Sequence, residues 1–361
     1  MTEKENLRRQ IDALDEELLS LLNQRQSLAQ TIGRIKNQEG ARTLDFRREE
    51  EVVAHLLHLN PGPLSHTAIR NIFREIISAA REIQTPLGVA FLGPEATFSH
   101  LAALKKFGYA SRFGPMATIQ EVFAEVEKNK FHYGVVPIEN STEGVVNDTL
   151  DLFAETPLKI CGEIYLEVSH DLVSKSGQRQ DIEVIYTHPQ AHGQCRRWLA
   201  THLPEIPVLE VASTGVAAQK ASKNPNSAAI ASAFAAPLYD LRLVEARIED
   251  HSGNVTHFFV IGPDVPGPTG HDKTSIIFAV DNIPGALYKT LRPLADRTLN
   301  MTRIVSRPVK TEAWRYLFYV DLDGHQAEPE VHQALSEIEH LSAHFKLLGS
   351  FPKAAGLEKL S

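Results

Sequence analysis

The chain has 361 residues, 43% of them hydrophobic and 23% charged, with a formal net charge of −8. That length predicts two or three domains, and the lack of a basic surplus argues against nucleic acid as a partner. Two cysteines, Cys161 and Cys195, make no disulfide framework and fit a reducing, cytoplasmic setting. The opening MTEKENLRRQ has no apolar stretch behind its charges, and the apolar runs are strand-length. Neither a signal peptide nor a membrane span is therefore expected.

Residues 1–85 read as three helices. Leu7, Ile11, Leu14, Leu18, Leu21, Leu28, Ile32 and Ile35 fall on alternating steps of three and four, an apolar seam along one long helix. Gly40 suits its end. Thr43 or Asp45 suits the cap of a second helix running to about Leu59. Asn60-Pro61-Gly62-Pro63 breaks the chain. Ser65 then opens a third helix carrying Ile69, Ile72, Phe73, Ile76, Ile77 and Ile83, and Pro86 stops it.

Beyond Pro86, short β-type runs alternate with helical stretches: LGVAFLG, a helix from about Thr97, YGVVPIE, VIYTH, PVLEVAS, SAAIAS and VTHFFVIG. That alternation predicts an α/β layered domain over residues 86–263. PDVPGPTGHD predicts a linker at 264–272. Residues 273–361 follow a βαββαβ order, the ferredoxin-like arrangement.

Charges mark candidate sites. Arg25 stands where the seam calls for an apolar residue, and a charge there is costly unless paired or liganded. Lys36, eleven residues on, shares its face at roughly 16 Å. Arg48 and Glu49 align with Val52, Val53, Leu56 and Leu57, which points them coreward. Two readings stand: a buried anion site that concentrates cations against the negative background, or structural ion pairs. Arg8 precedes Arg25 by about 25 Å of helix and is rotated away by about 100°. It cannot share a small ligand with Arg25 of its own chain, so any role for it requires a second subunit.

LRRQIDALDEELLSLLNQR, IGRIK, LDFRREEEV and IFREIISAAREIQ together resemble the all-helical chorismate mutase domain. The resemblance implies that Arg8 of a partner chain and Arg25 bind the substrate carboxylates, with Asp45 among the substrate-binding positions and Arg48 in the supporting network. Lys36 and Gln84 would hydrogen-bond the ether oxygen, and Glu49 would accept from the ring hydroxyl. Ala80 stands where some relatives carry serine.

In the middle region Thr97/Ser99, Asn140/Ser141/Thr142 and Ser213/Thr214 sit in turns at helix starts. Outward N–H groups there suit carboxylates, although simple capping accounts for each turn alone. VAFLGPEATFSHLAA, VPIENSTEGVV, THPQAHGQC, VASTGVAA, AAIAS and NVTHFFVIG resemble prephenate dehydratase. That family implies two α/β lobes around a cleft, like a periplasmic binding protein, with His188 and Gln190 of THPQA and the three turns at the substrate. Its Thr-Arg-Phe motif falls on Thr256, His257 and Phe258, so Thr256 is the implied acid or orienting donor. His257 replaces the arginine as a shorter cation. His188, His192 and Cys195 have metal-ligand spacing, but the motif has no metal role, and neither metal nor cofactor is expected. His55 and His58 read as a solvated helix face.

Residues 273–352 resemble an ACT domain, an amino-acid-binding module. Gly285, Ala286 and Leu287 match its Gly-Ala-Leu turn. Ser306, Arg307 and Pro308 match its Glu-Ser-Arg-Pro segment, with Val305 at the glutamate position. The implied effector is L-phenylalanine; a dimerisation module without effector is the other reading. The whole predicts a multidomain fold: all-α chorismate mutase helices, an α/β two-lobed dehydratase and an α+β ferredoxin-like ACT domain. The expected enzyme takes chorismate to prephenate and on to phenylpyruvate as a homodimer or tetramer, without nucleic-acid or membrane partners. The alternatives are a mutase with a dehydratase impaired by His257, and an aromatic amino-acid sensor.

Overall fold

The computed structural model describes residues 2–39, 46–308 and 316–354; Gly40, Thr43 and Asp45 lie outside them. The chain forms two compact units, residues 1–88 with 107–112, and residues 89–106 with 113–361.

The first unit holds three helices: α1 (Glu3–Gln38), α2 (Phe46–Leu59) and α3 (His66–Gln84). At 36 residues α1 is about 54 Å long. It packs on α3, as does α2. Ser65 caps α3 as expected, its Oγ accepting the Ala68 N–H at 3.1 Å. Thr85, held extended before Pro86, ends it. The seam of α1 exists but is uncovered in a single chain, from 48% exposed at Ile35 to 67% at Leu28.

The second unit begins with β1 (Gly88–Leu92), α4 (Phe98–Phe107), β2 (Arg112–Met116), α5 (Ile119–Glu127), β3 (Tyr133–Asn140), β4 (Gly144–Val145), α6 (Asn147–Glu155) and β5 (Lys159–Glu167). It continues with β6 (Asp171–Ser174), β7 (Val184–Thr187), α7 (Pro189–Gln194), α8 (Arg196–His202), β8 (Val208–Glu210), α9 (Thr214–Lys223), β9 (Ser227–Ala231), α10 (Ala235–Leu238), β10 (Arg242–Glu245) and β11 (Val255–Gly262). These strands make two sheets, ordered β2-β1-β3-β11-β5, with β4 beside β3, and β10-β6-β9-β7-β8. The expected α/β layering is present. Strands β2, β4, β5, β6 and β10 were not legible in the sequence.

The last segment adds β12 (Asp272–Ala279), α11 (Ala286–Asp296), β13 (Met301–Pro308), β14 (Tyr316–Asp323), α12 (Pro329–Leu341) and β15 (His344–Pro352). The order is the expected βαββαβ, in an antiparallel sheet β13-β14-β12-β15. Ile276, Phe278, Val320 and Leu322 face Leu294, Val331, Leu335 and Ile338 of the helices in one core. Ile277, Tyr319, Leu348 and Phe351 join a different core, with Leu150 and Phe153 of α6 and Ile160 and Phe259 of the first sheet. Strand β15 runs so close to β5 that a Cβ on Gly349 (φ +149°) would lie 2.4 Å from the Ile160 carbonyl oxygen.

The Pro/Gly-rich segment before β12 is not a loose tether. The Asp272 carboxylate accepts the N–H groups of Thr269 (2.7 Å) and Gly270 (3.0 Å). The Pro266 carbonyl meets His325 Nε2 at 3.0 Å. Among the described residues no helix is long and apolar enough to cross a membrane.

Candidate active sites

In the helical unit the long helix carries its cations far apart, as the sequence requires. Arg8 is exposed, while Arg25 and Lys36 are half-buried. Arg25 Nη1 is buried with no hydrogen-bond partner among the described residues, and burial lowers the guanidinium pKa. Gln84 lies against the notch left by Gly33: a Cβ there would sit 2.6 Å from Gln84 Cγ. A glycine on α1 thus makes room for a side chain of α3.

In this unit one expected residue gains a partner and one expectation is corrected. Glu49 is gripped by Arg81, whose Nη1 lies 3.2 Å from Glu49 Oε1. Arg81 is 5% exposed and also donates to the Phe107 carbonyl, so it fixes Glu49 from behind. Periodicity gave Arg81 no distinction from other helix arginines. Arg48 does not point coreward. It is 69% exposed and reaches Glu51 one turn on, at 3.3 Å. A long side chain at a helix margin keeps its charge in water when water is within reach.

In the second unit the two sheets face a cleft of about 330 Å³. Thr97, Ser99, Asn140, His188, Gln190, Ser213, Thr214 and Thr256 all line it, gathered from the ends of β3 and β7, the start of β11 and the starts of α4, α7 and α9. His170, Gln194 and Asn254 line it too and were missed. Gln194 and Asn254 lie inside the quoted segments THPQAHGQC and NVTHFFVIG; His170, between β5 and β6, carried no signal.

Among the described residues no lysine or arginine lines the cleft, so the concentrated cations expected of an anion site are not found here. What it holds is a hydrogen-bond relay of fixed polarity. The main-chain N–H groups of Thr142 (2.9 Å) and Glu143 (3.1 Å) donate to Asn140 Oδ1. Asn140 Nδ2 must therefore donate, to Asn254 Oδ1 at 2.7 Å and Thr256 Oγ1 at 2.8 Å. Asn254 Nδ2 in turn donates to Gln194 Oε1 at 3.0 Å. His170 Nε2 lies 2.9 Å from that same acceptor, so the ring carries its proton on Nε2. The relay leaves three groups uncommitted. The Thr256 hydroxyl proton is directed away from Asn140, while Gln194 Nε2 and His170 Nδ1 are buried without a partner among the described residues.

The capping and ligand readings of the turns both hold in part. Ser213 Oγ accepts the Val216 N–H at 3.1 Å, which leaves its own proton to donate. The Thr97 hydroxyl instead donates to the Leu92 and Pro94 carbonyls, at 3.1 and 3.0 Å, and holds its turn. Ser141 and Thr142 do not line the cleft; Ser141 Oγ accepts the Val255 N–H at 2.9 Å. His188 caps α7, its Nδ1 accepting the Gln190 N–H at 3.3 Å. His192 meets Glu210 at 3.1 Å, and the buried Cys195 thiol is pushed up to about 12, first by burial and then by nearby carboxylates.

His257 is the largest correction. Successive strand residues face opposite sides. With Thr256 at the cleft, His257 lies behind it, its Nε2 3.1 Å from Glu163 Oε2 and its ring stacked on Tyr165 at 4.2 Å. It is no substitute cation for a substrate. Phe258, 1% exposed, is core. Glu163 also binds Lys273 Nζ of β12, at 3.0 Å, and the Ala354 N–H. Burial alone would raise the Glu163 carboxyl, but the His257 hydrogen bond, the His257 and Lys273 charges and the Ala354 N–H outweigh it, to about 2.

On that same rear side, β13 sends Arg303 to Glu139, beside Asn140 (3.2 Å), and Arg307 to Asp151 of α6 (2.7 Å). Arg307, expected at an effector, is thus engaged with the first sheet's helix. Val305 packs against the shared core, where a glutamate would be stranded. Gly285 opens α11 with φ +79°, Ala286 and Leu287 follow in its first turn, and Ser306 and Pro308 are exposed.

Comparison with known proteins assigns a family to each of the two regions. Residues 7–85 match the family model for chorismate mutase type II, and residues 89–265 that for prephenate dehydratase. The chain is 44% identical to the bifunctional chorismate mutase/prephenate dehydratase of Aquifex aeolicus, over 98% of this chain and 99% of that one. Among solved structures, it resembles a prephenate dehydratase from Arthrobacter aurescens in complex with L-Phe. The identity is 32% and the TM-score 0.68, over 74% of this chain and 90% of that one. It equally resembles GqqA, described as a novel type of quorum quenching acylase, with 31% identity and a TM-score of 0.68 over 74% of this chain and 98% of that one. With such a relative matched from end to end, the chain belongs to the bifunctional chorismate mutase/prephenate dehydratase family.

Proposed function

We propose that the chain converts chorismate to prephenate in its helical domain (residues 1–85) and prephenate to phenylpyruvate in the cleft of residues 86–263, under control of residues 273–361. The first reaction is a pericyclic rearrangement that needs no nucleophile. The site holds the folded conformer and stabilises charge growing on the ether oxygen. Lys36 supplies that charge and Gln84 a neutral donor, while Arg25 and the partner copy's equivalent of Arg8 hold the carboxylates. Glu49, backed by Arg81, takes the ring hydroxyl. The buried Arg25 Nη1, without a partner among the described residues, and the exposed α1 seam support a second copy closing this site, because a contiguous exposed apolar face marks an interaction surface.

The second reaction expels water and carbon dioxide and gains an aromatic ring. The observation that carries this reading is the relay that aims the Thr256 hydroxyl away from Asn140 and leaves it to donate to the departing hydroxyl. Ser99, Ser213 and the N–H groups beside Thr214 receive the carboxylates, with His188 and Gln190 shaping the site. The cleft between two lobes closes on its ligand in the manner of a binding protein.

Residues 273–361 act as an ACT-type module for L-phenylalanine, with the Gly285–Leu287 turn and the exposed Ser306 and Pro308 as its contacts. A relative in complex with L-Phe supports that ligand. Its link to the cleft is the rear face: Arg303 on Glu139, and Lys273 on Glu163 and through it His257. The test is to feed chorismate and follow its loss, prephenate and phenylpyruvate, with and without phenylalanine. Accumulation of phenylpyruvate, suppressed by phenylalanine, is the expected result. Arrest at prephenate would remove the dehydratase assignment and leave the mutase.

A further inference from the structure

We propose that His170 is the proton donor of the dehydration, delivering from Nδ1 the proton that leaves with the ring hydroxyl as water. The inference rests on the prephenate reading of the cleft. Its starting point is the balance of that reaction. Prephenate enters as a dianion; phenylpyruvate leaves as a monoanion together with neutral carbon dioxide and water. One proton is consumed per turnover, and something lining the cleft must deliver it.

The lining offers few sources. Serine, threonine, asparagine and glutamine do not release a proton near neutrality, and among the described residues no carboxylate, lysine or arginine lines the cleft. His170 and His188 remain. His188 uses Nδ1 to accept the Gln190 N–H at the start of α7, so protonating that nitrogen breaks the cap. His170 has no such conflict. Its Nε2–H donates to Gln194 Oε1 whether the ring is neutral or charged, and Nδ1 is buried without a partner among the described residues. Protonating Nδ1 costs no hydrogen bond within the protein.

The surroundings poise the ring. His170 is 3% exposed and lies edge-on to Phe98, with ring centres 5.8 Å apart. The charged and titratable groups facing it are Glu249, whose carboxylate accepts the His170 main-chain N–H at 2.9 Å, Asp171 and His188. Burial dominates and holds its pKa below the ordinary value, with His188 acting in the same direction. The Gln194 hydrogen bond and the two carboxylates oppose them. The empty cleft therefore favours the neutral ring. A substrate that carries two carboxylates into a cleft without fixed cations reverses this, because nearby negative charge favours the imidazolium. The ring then takes its proton as substrate binds.

The bond between ring carbon and hydroxyl breaks, and that oxygen takes the Nδ1 proton and leaves as water. The bond between ring carbon and carboxylate breaks, carbon dioxide departs, and its electron pair completes the aromatic ring. Neutral His170 regains a proton from solvent in the next cycle. Thr256 orients the leaving oxygen, and Gln194 Nε2 is left to donate to a substrate oxygen.

The experiment measures phenylpyruvate formation from prephenate by the full chain across pH, comparing wild type with His170→Gln and His170→Asn. Wild-type kcat is expected to fall as pH rises through the His170 pKa in the complex. The corresponding limb in kcat/KM, which reports the unliganded protein, lies at lower pH. Both variants are expected to lose the kcat limb and about 100-fold or more in kcat, with KM within about threefold. If His170 only anchored Gln194, kcat or KM would change while the limb survived. A surviving limb in either variant, kcat within threefold of wild type, or a wild-type kcat that does not fall with rising pH would each overturn the proposal. If wild type makes no phenylpyruvate at all, the prephenate reading itself has failed. If one variant does not fold, the other and the wild-type profile still decide.

Discussion

The two candidate sites solve opposite electrostatic problems. The candidate helical site draws on long cations spread along one helix: Arg8 and Arg25 lie about 25 Å apart, and the seam between them is exposed. The dehydratase cleft gathers its lining from the second unit and, among the described residues, holds no lysine or arginine, only neutral groups of fixed polarity and two histidines. The contrast follows from the chemistry. A pericyclic step moves no proton and profits from fixed charge at the ether oxygen. A dehydration consumes a proton, and a permanent cation beside its donor would hold that donor neutral.

The sharpest way to break this comparison is Lys36→Ala. We expect chorismate turnover to drop about 10²–10³-fold while prephenate turnover stays near wild type; equal loss of both would end the separate-site picture. Thr256→Val is the mirror test. Prephenate turnover should fall about 10²-fold with mutase rates intact, and a small effect would shift the orienting role elsewhere. Mixing Arg8→Ala with Arg25→Ala chains should restore part of the mutase activity each lacks alone. No recovery after verified subunit exchange would count against a shared site.

Smaller effects sharpen the rear face. Lys273→Met leaves Glu163 buried with one cation fewer and should cost about 3–5 kcal/mol in urea unfolding. Because the Glu163 carboxyl is depressed in the folded protein, its contribution is present above the ordinary glutamate range and fades as pH falls from about 4.5 toward about 2. A loss that grew toward alkaline pH instead would contradict that assignment. His257→Arg should leave dehydratase kcat within about threefold, because the side chain faces Glu163 and not substrate. A large gain would mean that position 257 does reach the cleft.

Much of the fold was legible because period and punctuation agree in the helices, in β1, β3, β9 and β11, and in the βαββαβ segment. Strand β5 was hidden because its inward face carries Glu163, which reads as polar until Lys273 arrives from 110 residues away. Arg112–Met116 contains a glycine and a proline and shows no alternation. In the cleft, the turns were readable from Ser/Thr clusters, whereas His170 was not, since a lone histidine after a strand has no pattern. The misplacement of His257 arose from reading a motif as a row of neighbours, when a strand sends adjacent residues to opposite faces.

The relay's direction originates in two main-chain N–H groups, those of Thr142 and Glu143. A main-chain group is not encoded by the codon at its position. Genetic drift at 142 and 143 can therefore exchange side chains without inverting the donors and acceptors of the cleft, and only proline deletes the N–H. The instruction that most constrains the chemistry of this site is thereby among the least exposed to mutation.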